Sequence, residues 1–452
     1  MFKKKSNLPP AATYKEVWQK GDLSFKLSFF FMGLAQLKRR QWAQGISLLG
    51  LELAFIGWLS FSGVSALGML SNLGANKTKR VVFDNAQGVY LTKLPDNSVV
   101  ILLFGVLAVI LVLAMIGLYI ASLRSLRTLY VQVRDGEHVA TNREQLRSLL
   151  DSRLHLTLMV IPIIGVMAFT VLPTLYMISM AFTNYDSKHP IGFSWTGFKA
   201  FGNVLTGDLA GTFFPVLGWT LVWAVCATVT TFFFGVLLAM LIESKGITHK
   251  GLWRTLFVIV YAVPQFVSLL MMAQFLDLQG PLNTLLMNWG WISHPINFIG
   301  ASANATVARI TVIVVNMWIG IPVSMLTSTA IIQNLPQDQI EAARMDGANP
   351  FQVFRHITFP QILFVMAPAL IQQFIGNINN FNVIFLLTGG YPMNNNYNGA
   401  GDTDLLVTWL YNLVFGQTQR YNASAVLGIL IFIISATVSL LAYRRTNAFK
   451  EG

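Results

Sequence analysis

The sequence predicts an all-α polytopic membrane protein with about eight transmembrane helices. Three observations carry that reading. The 452 residues are 54% hydrophobic, with a mean hydropathy of +0.58. Only 11% of them are charged. The apolar residues also gather in charge-poor runs of twenty or more, where a soluble helix would show a single apolar stripe. A hydrocarbon core of ~30 Å takes about 20 helical residues to cross, so each run is long enough to span.

In chain order the predicted spans are residues 46–70, 99–122, 157–182, 214–242, 254–276, 305–329, 361–388 and 421–443. An even number of spans puts both termini on one side of the membrane. If that side is cytoplasmic, the inner segments hold 23 of the 31 Lys and Arg residues and the outer loops seven. Basic residues collect on the inner side, so both termini are expected in the cytoplasm, with the chain in the plasma membrane. The net charge of +12 then reads as membrane topology, and no nucleic-acid partner is expected. The single Cys226 lies in an apolar run, which excludes a disulfide framework or a cysteine metal site and fits an ordinary buried thiol.

The connections differ in character. The start, "MFKKKSNLPPAATYKEVWQKG", has basic residues with no apolar segment directly behind them, so no cleavable signal is expected. "FKLSFFFMGLAQLKRRQW" is apolar and then basic; it reads as an amphipathic stretch along the inner interface, or else as an extension of the first span. The charged stretch between the second and third spans reads as a solvated helix face. The loop 389–420 is rich in Gly and Asn, starts irregularly, and allows a short surface helix in "TDLLVTWLYNLVF".

Chemistry of the chain's own is not expected. No GxxxxGK[ST] phosphate loop, no HExxH spacing, no intramembrane carboxylate pair and no nucleophile set is present. No catalytic and no metal-binding residue is assigned. Glu52 and Arg309 fall inside spans, where charges often mark function. Each lies near a membrane boundary, so snorkelling or a structural partner is favoured over an ion relay.

Residues 336–360, "PQDQIEAARMDGANPFQVFRHITFP", interrupt two apolar runs with a polar, turn-rich stretch. The pattern predicts two short helices around a tight turn. Pro336 suits a first helical position, and Ile340 to Met345 are strong helix formers. Gly347 stands where a helix ends in a left-handed residue. Asn349-Pro350-Phe351-Gln352 predicts an N-cap with a capping glutamine three residues on. Ala342 and Ala343 leave a bare face and Glu341 a carboxylate, as a plug for a partner's socket would. The plainer alternative is a surface loop tying two spans.

Glu341-Ala342-Ala343, Asp346-Gly347-Ala348, Phe354, Ile357 and Pro360 resemble the EAA loop of ABC-importer permeases, with Phe359 where Leu is usual. "YAVPQF" (261–266), "NMWIGIP" (316–322), "NINNFNVIFLLTGG" (377–390) and "TDLLVTWLYNLVFG" (403–416) look like the MalF-type branch, which serves maltose and maltodextrin. The resemblance covers residues 155–452 well and the first two spans in layout. It implies a type I ABC-importer permease fold. The divisions expected are 1–45, a cytoplasmic segment; 46–153, two accessory spans and their connection; and 154–452, a six-helix core. It also implies that Glu341, Ala342, Ala343, Asp346, Gly347 and Ala348 form the coupling helix seated in an ATPase subunit. ATP and magnesium would then bind that partner, and this chain would hold no cofactor. The loop between the third and fourth spans is only about thirty residues, whereas the enteric maltose permease carries a large domain there. A lipid-tethered binding protein is the expected consequence.

In the seventh predicted span five amides, Gln372, Gln373, Asn377, Asn379 and Asn380, occur within nine residues. At ~100° per residue, Gln373, Asn377 and Asn380 would share one face. Facing lipid they would leave donors and acceptors unmet, so they must face protein or a wet cavity. Two accounts stay open: hydrogen-bonding glue between helices, and a site for a neutral polyhydroxylated ligand, with Tyr261, Trp318 and Phe381 covering pyranose faces. The resemblance implies the second. By motif it places Tyr261, Gly320, Asn377 and Asn380 at sugar-contacting positions, and Ile319, Val323, Gln373 and Gly376 at contact positions with altered residue types.

The expected function is therefore transport of maltose- or maltodextrin-like oligosaccharides as one permease of an ATP-driven importer. The partners expected are a MalG-like sister permease, a pair of ATPase subunits, an extracytoplasmic sugar-binding lipoprotein, the sugar and membrane lipid. The alternatives are a permease for another sugar or polyol, and an ion-coupled secondary carrier, which would want intramembrane carboxylates or inverted repeats.

Overall fold

A computed structural model of the chain describes residues 12–84, 88–244 and 246–445. Among them, seven helices are long and apolar enough to cross a membrane, and eight if one sharply bent pair counts as a single span. By packing the chain divides into two compact units, Met1–Trp195 and Thr196–Gly452.

In the first unit, three short helices, α1 (Tyr14–Lys20), α2 (Leu23–Leu27) and α3 (Leu34–Lys38), precede the first span, α4 (Trp42–Leu70). Thr13 caps α1 by accepting from the Glu16 amide, and Asp22 caps α2 by accepting from the Phe25 amide. The apolar-then-basic stretch is thus not one amphipathic helix. It is folded back on itself at Gly33, whose φ of +89° reverses the chain. A hairpin, β1 (Arg80–Asp84) with β2 (Val89–Lys93), joins α4 to the second span, α5 (Ser98–Arg134). α5 has 37 residues and so runs ~55 Å, well past the hydrocarbon layer. The capped helix α6 (Asn142–Leu150) then leads to the third span, α7 (Leu154–Met180). α6 is the solvated connection expected there, with none of its residues buried.

Glu52 has a structural partner: its buried Oε2 accepts from the Met32 amide at 2.6 Å. On the other side of the unit Lys77 Nζ donates to the carbonyls of Asn72, Leu73 and Phe193, tying both connections to the helix ends.

In the second unit a short helix, α8 (Lys199–Leu205), leads to α9 (Ala210–Glu243). After α9 the fifth predicted span, 254–276, is broken. α10 (Lys250–Ala262) and α11 (Gln265–Phe275) meet at 88° around Val263-Pro264. The proline has no amide proton to continue α10, and it pushes Val263 to extended backbone. A short α12 (Pro281–Asn288) precedes the sixth span, α13 (Ala305–Gln333). α9 and α13 approach closely because their facing residues are small. A Cβ on Gly235 would stand 2.4 Å from Ser324 Cβ, and one on Gly320 2.6 Å from Thr231 Cγ2.

The seventh span also departs from a single helix over 361–388. After the small helix α14 (Gln337–Met345), α15 runs Pro350–Ile378, and the chain breaks at Asn379-Asn380 before a short α16 (Phe381–Leu387). The loop after it is irregular, as expected. However, α17 (Leu406–Phe415) is no surface helix, since Leu406, Trp409 and Leu413 are buried. Trp409 Nε1 donates to the Asn398 carbonyl at 2.8 Å and fixes the loop. Arg309 belongs to the same fixation: its Nε donates to the Asp402 carbonyl at 2.8 Å, and its guanidinium lies 4.8 Å over the Trp219 ring. α18 (Tyr421–Arg445) is the last span.

Candidate functional site

The break between α10 and α11, the middle of α13 and the end of α15 enclose a cavity of about 740 Å³. That is ample for an oligosaccharide segment of a few rings. Of the residues expected to contact a ligand, Tyr261, Ile319, Gly320, Val323, Gln373, Asn377 and Asn380 line it. Gly376 does not. Nor do Trp318 and Phe381: Trp318 lines a separate apolar recess with Met271 and Phe275, and Phe381 packs on Phe385 at 4.7 Å. Among the described residues Tyr261 is the one aromatic ring on the wall.

The amides do not form the single helical stripe that their spacing predicts, because α15 ends at Ile378. Asn380 sits past the break and caps α16, its Oδ1 accepting from the Val383 amide at 3.3 Å. It reaches the cavity from that turn. Gln373 and Asn377 remain helical and lean on α9. Gln373 Nε2 donates to Thr231 Oγ1 at 2.7 Å, and Asn377 Nδ2 to Thr228 Oγ1 at 2.9 Å. Thr231 commits its own proton to the Ala227 carbonyl at 2.6 Å, so it can only accept from Gln373. Trp223 Nε1 adds a bond to the Asn377 carbonyl at 3.0 Å. Glue between helices and wall of a cavity are thus combined in the same residues. Each nitrogen holds α9, and the oxygens Gln373 Oε1 and Asn377 Oδ1 have no protein partner among the described residues.

Further polar groups on the wall were not expected from the sequence: Asn316 and Ser324 on α13, and Gln265 and Ser268 on α11. The first two carry a legible signal. Asn316, Gly320 and Ser324 recur every four residues, with Val323 and Thr327 beside them, so one face of α13 is polar or small within an apolar helix. The pair on α11 has no such signal, because the bend that turns them inward is a tertiary feature. Among the described residues no lining residue is charged, so the wall offers hydroxyls and amides that both donate and accept.

The polar segment 336–360 lies at the far ends of two of these walls. α14 follows α13 after three residues, and α15 begins at Pro350. Gly347 has φ +84°, and the Ala348 amide returns to the Ala343 carbonyl at 2.9 Å, the left-handed helix end expected there. Asn349 and Gln352 bond reciprocally at 2.8 Å, the expected capping box. Pro336 is the N-cap, one residue before the first helical position. Glu341, Ala342, Asp346 and Gly347 are exposed, and Ala343 and Ala348 half-buried. At the same end Glu243, the last residue of α9, pairs with Arg254 and Lys250 on α10 and accepts from Gln333 Nε2 at 3.4 Å.

Comparison with known proteins bears on this arrangement. Residues 232–448 match the family described as "Binding-protein-dependent transport system inner membrane component". The chain is 33% identical over 428 residues to the galactooligosaccharides transport system permease protein GanP of Bacillus subtilis, covering 93% of this chain and 96% of GanP. It is 31% identical over 427 residues to the maltodextrin transport system permease protein MdxF of the same organism, covering 92% and 94%. To the maltose/maltodextrin permease MalF of Salmonella typhimurium it is 34% identical over 273 residues, 58% of this chain and 51% of MalF. Among solved structures, a bacterial ABC transporter of alginate import shares the fold at 21% identity, with a TM-score of 0.51 over 67% of this chain and 98% of that one. The near full-length likeness to permeases, carried by a helical fold that seven or eight spans thread through a membrane, places this chain in the family of binding-protein-dependent transport system inner membrane components, as a multi-pass permease subunit.

Proposed function

We propose that this permease passes neutral oligosaccharides of the maltodextrin class through the cavity at the α10–α11 break, driven by ATP hydrolysis on a separate subunit. The observation that carries the substrate class is the wall itself: amides and hydroxyls, one aromatic ring and no charge. Sugar hydroxyls both donate and accept, so free amide oxygens and a free Gln372 amide suit them. An anion or a metal cation would want fixed charge. The two intramembrane charges, Glu52 and Arg309, are both engaged in structural bonds, which supports an ATP-driven importer over an ion-coupled carrier.

In this reading Tyr261 covers a pyranose face, and Gln373, Asn377 and Asn380 bond hydroxyls. Ile319, Gly320 and Val323 set the width, with Gly376 beside the wall instead of on it. The segment Glu341-Ala342-Ala343 with Asp346-Gly347-Ala348 is the coupling helix. It continues directly into α13 and α15, so a push on α14 moves two cavity walls together. Glu243 extends the linkage to α10, the third wall. ATP and magnesium belong to a pair of ATPase subunits that grip α14, and a sister permease and an extracytoplasmic sugar-binding lipoprotein complete the importer. Both termini face the cytoplasm, the side on which the coupling segment must lie.

A second substrate reading has one observation behind it: the relative at 33% identity over nearly the whole chain is named for galactooligosaccharides. The test is binding of a sugar panel to the purified complete transporter. Maltotriose and longer α-glucans should compete, and β-galactooligosaccharides should not; the reverse order replaces the first reading with the second. Uptake should collapse on ATP depletion and survive a protonophore when ATP is maintained. Loss to the protonophore alone would remove the ATP-driven reading.

A further inference from the structure

The folded-back stretch before the first span has a polarity that runs from one end to the other. At its base, Asp22 Oδ2 lies 3.0 Å from Lys38 Nζ and 3.2 Å from an Arg39 guanidinium nitrogen, and Arg39 also donates to Ser24 Oγ. These bonds close the two legs, α2 and α3. The other end is the turn Phe29–Met32, where Phe30 is 64% exposed and Phe31 46%. Leu23, Leu27 and Phe30 follow at helical spacing and are all exposed, whereas Phe25 and Met32 face inward and are buried. Trp18 packs edge-on against Phe29 and Phe30.

The backbone of the turn is satisfied in a way that water would make unnecessary. Glu52 Oε2 accepts from the Met32 amide at 2.6 Å, and Tyr119 Oη donates to the Phe29 carbonyl at 2.8 Å. Ser28 Oγ accepts from the Ala35 amide at 2.7 Å. Glu52 and Tyr119 both belong to apolar runs of spans, on the membrane side of Arg40 and Arg124. Non-helical backbone survives at lipid depth only where protein groups take over its hydrogen bonds. Gly33 lets the turn lie flat on α4, since a Cβ there would stand 2.5 Å from the Gly45 carbonyl.

We propose that residues 22–40 form a wedge seated in the membrane, whose tip Phe29–Met32 enters the acyl region of the leaflet on the amino-terminal side. The occupant of the exposed apolar face is lipid, because that face is continuous with the lipid-facing side of α4, where Trp42, Ile46 and Leu53 are exposed. The charged base stays at headgroup level, where Lys and Arg suit anionic lipid and Trp18 suits the aromatic belt. Glu52 is the pin that holds the tip.

The test uses the full chain, with Cys226→Ser, in nanodiscs of neutral and anionic phospholipid. A nitroxide on Phe31→Cys should favour oxygen over an aqueous nickel chelate several-fold more than one on Lys20→Cys. Equal accessibility at the two positions overturns the insertion. Glu52→Leu should shift the residue-31 label toward the aqueous reagent and Glu52→Gln should not; a label indifferent to both overturns the pin. In case the cysteine variants fail to fold, a photoreactive residue at Phe30 in the assembled transporter gives an independent reading. Lipid adducts support the wedge, and adducts to a protein subunit overturn it.

Discussion

The segment 336–360 and the wall at 372–380 are both short polar insertions into an apolar chain, and both split their polar side chains between two tasks. In the first, Asn349, Gln352 and Gly347 make the local structure, and Glu341 is left exposed on the surface. In the second the split runs through single side chains: the nitrogens of Gln373 and Asn377 hold α9, and their oxygens face the cavity. Within 372–380 it is Gln372 that resembles Glu341, since it lines the cavity without a protein bond among the described residues, as Gln265 and Asn316 do on the other walls. The difference follows from the solvent. In water a free side chain costs nothing, so the segment 336–360 can keep structure and an exposed face on separate residues. Inside a membrane unmet polar atoms are costly, so three of the four lining amides of 372–380, Gln373, Asn377 and Asn380, are braced by protein.

The largest effect is expected at Glu341, where function and structure are most cleanly separated. Glu341→Lys should abolish uptake and uncouple ATP hydrolysis from substrate, with the melting temperature of the permease unchanged. Normal uptake with substrate-stimulated hydrolysis would remove the coupling role. Next comes Asn377→Leu, which deletes both the bond to Thr228 and the oxygen on the cavity. Uptake should be lost, and the complex should also melt earlier, since each deleted bond is worth ~0.5–1.5 kcal/mol. Gln372→Leu sharpens the comparison. It removes a cavity amide without a brace, so uptake should fall ~10-fold, equivalent to about 1.4 kcal/mol, while melting stays put. If Gln372→Leu instead lowers stability and spares uptake, the wall is structural and the sugar path lies elsewhere.

The two regions also differ in how much of them could be read from residues alone. The segment 336–360 was legible in its local geometry: Gly347, the Asn349–Gln352 box and the exposed Glu341–Ala342 face all depend on neighbours within four residues. The amide wall was legible as composition, and its geometry was not. A helical wheel put Gln373, Asn377 and Asn380 on one face, and the chain breaks between the second and third. Nothing local in "NINNFN" forbids another turn of helix; the break follows from the packing of α16 against α11, α13 and α17. The bend at Val263-Pro264 had a visible proline, but its 88° angle is tertiary, and with it the arrival of Gln265 and Ser268 in the cavity. Trp318 and Phe381 looked like sugar platforms by type and proximity, and they pack elsewhere.

The smallest expected effect falls on a residue whose part in the segment 336–360 is structural. Asn349 Oδ1 accepts from the Gln352 amide, and Gln352 Oε1 accepts in turn from the Asn349 amide, each at 2.8 Å. Replacing Asn349 with Ala removes the acceptor of the Gln352 amide and leaves that one donor to solvent, at a cost of ~1 kcal/mol, while the backbone amide of residue 349 keeps Gln352 Oε1. That amide is exposed, so water can serve it and the helix should survive. The expected outcome is a melting temperature lowered by a few degrees, with uptake and the ratio of ATP hydrolysed to sugar moved nearly as wild type. Asn349→Asp restores the acceptor and, placed at a helix N-terminus, also suits its partial positive charge, so it should recover the lost stability. If Asn349→Ala instead uncouples the transporter as fully as Glu341→Lys, the cap is part of the contact with the ATPase. Structure and contact would then be shared on single residues in the coupling segment too, and solvent would no longer explain the contrast with the membrane wall.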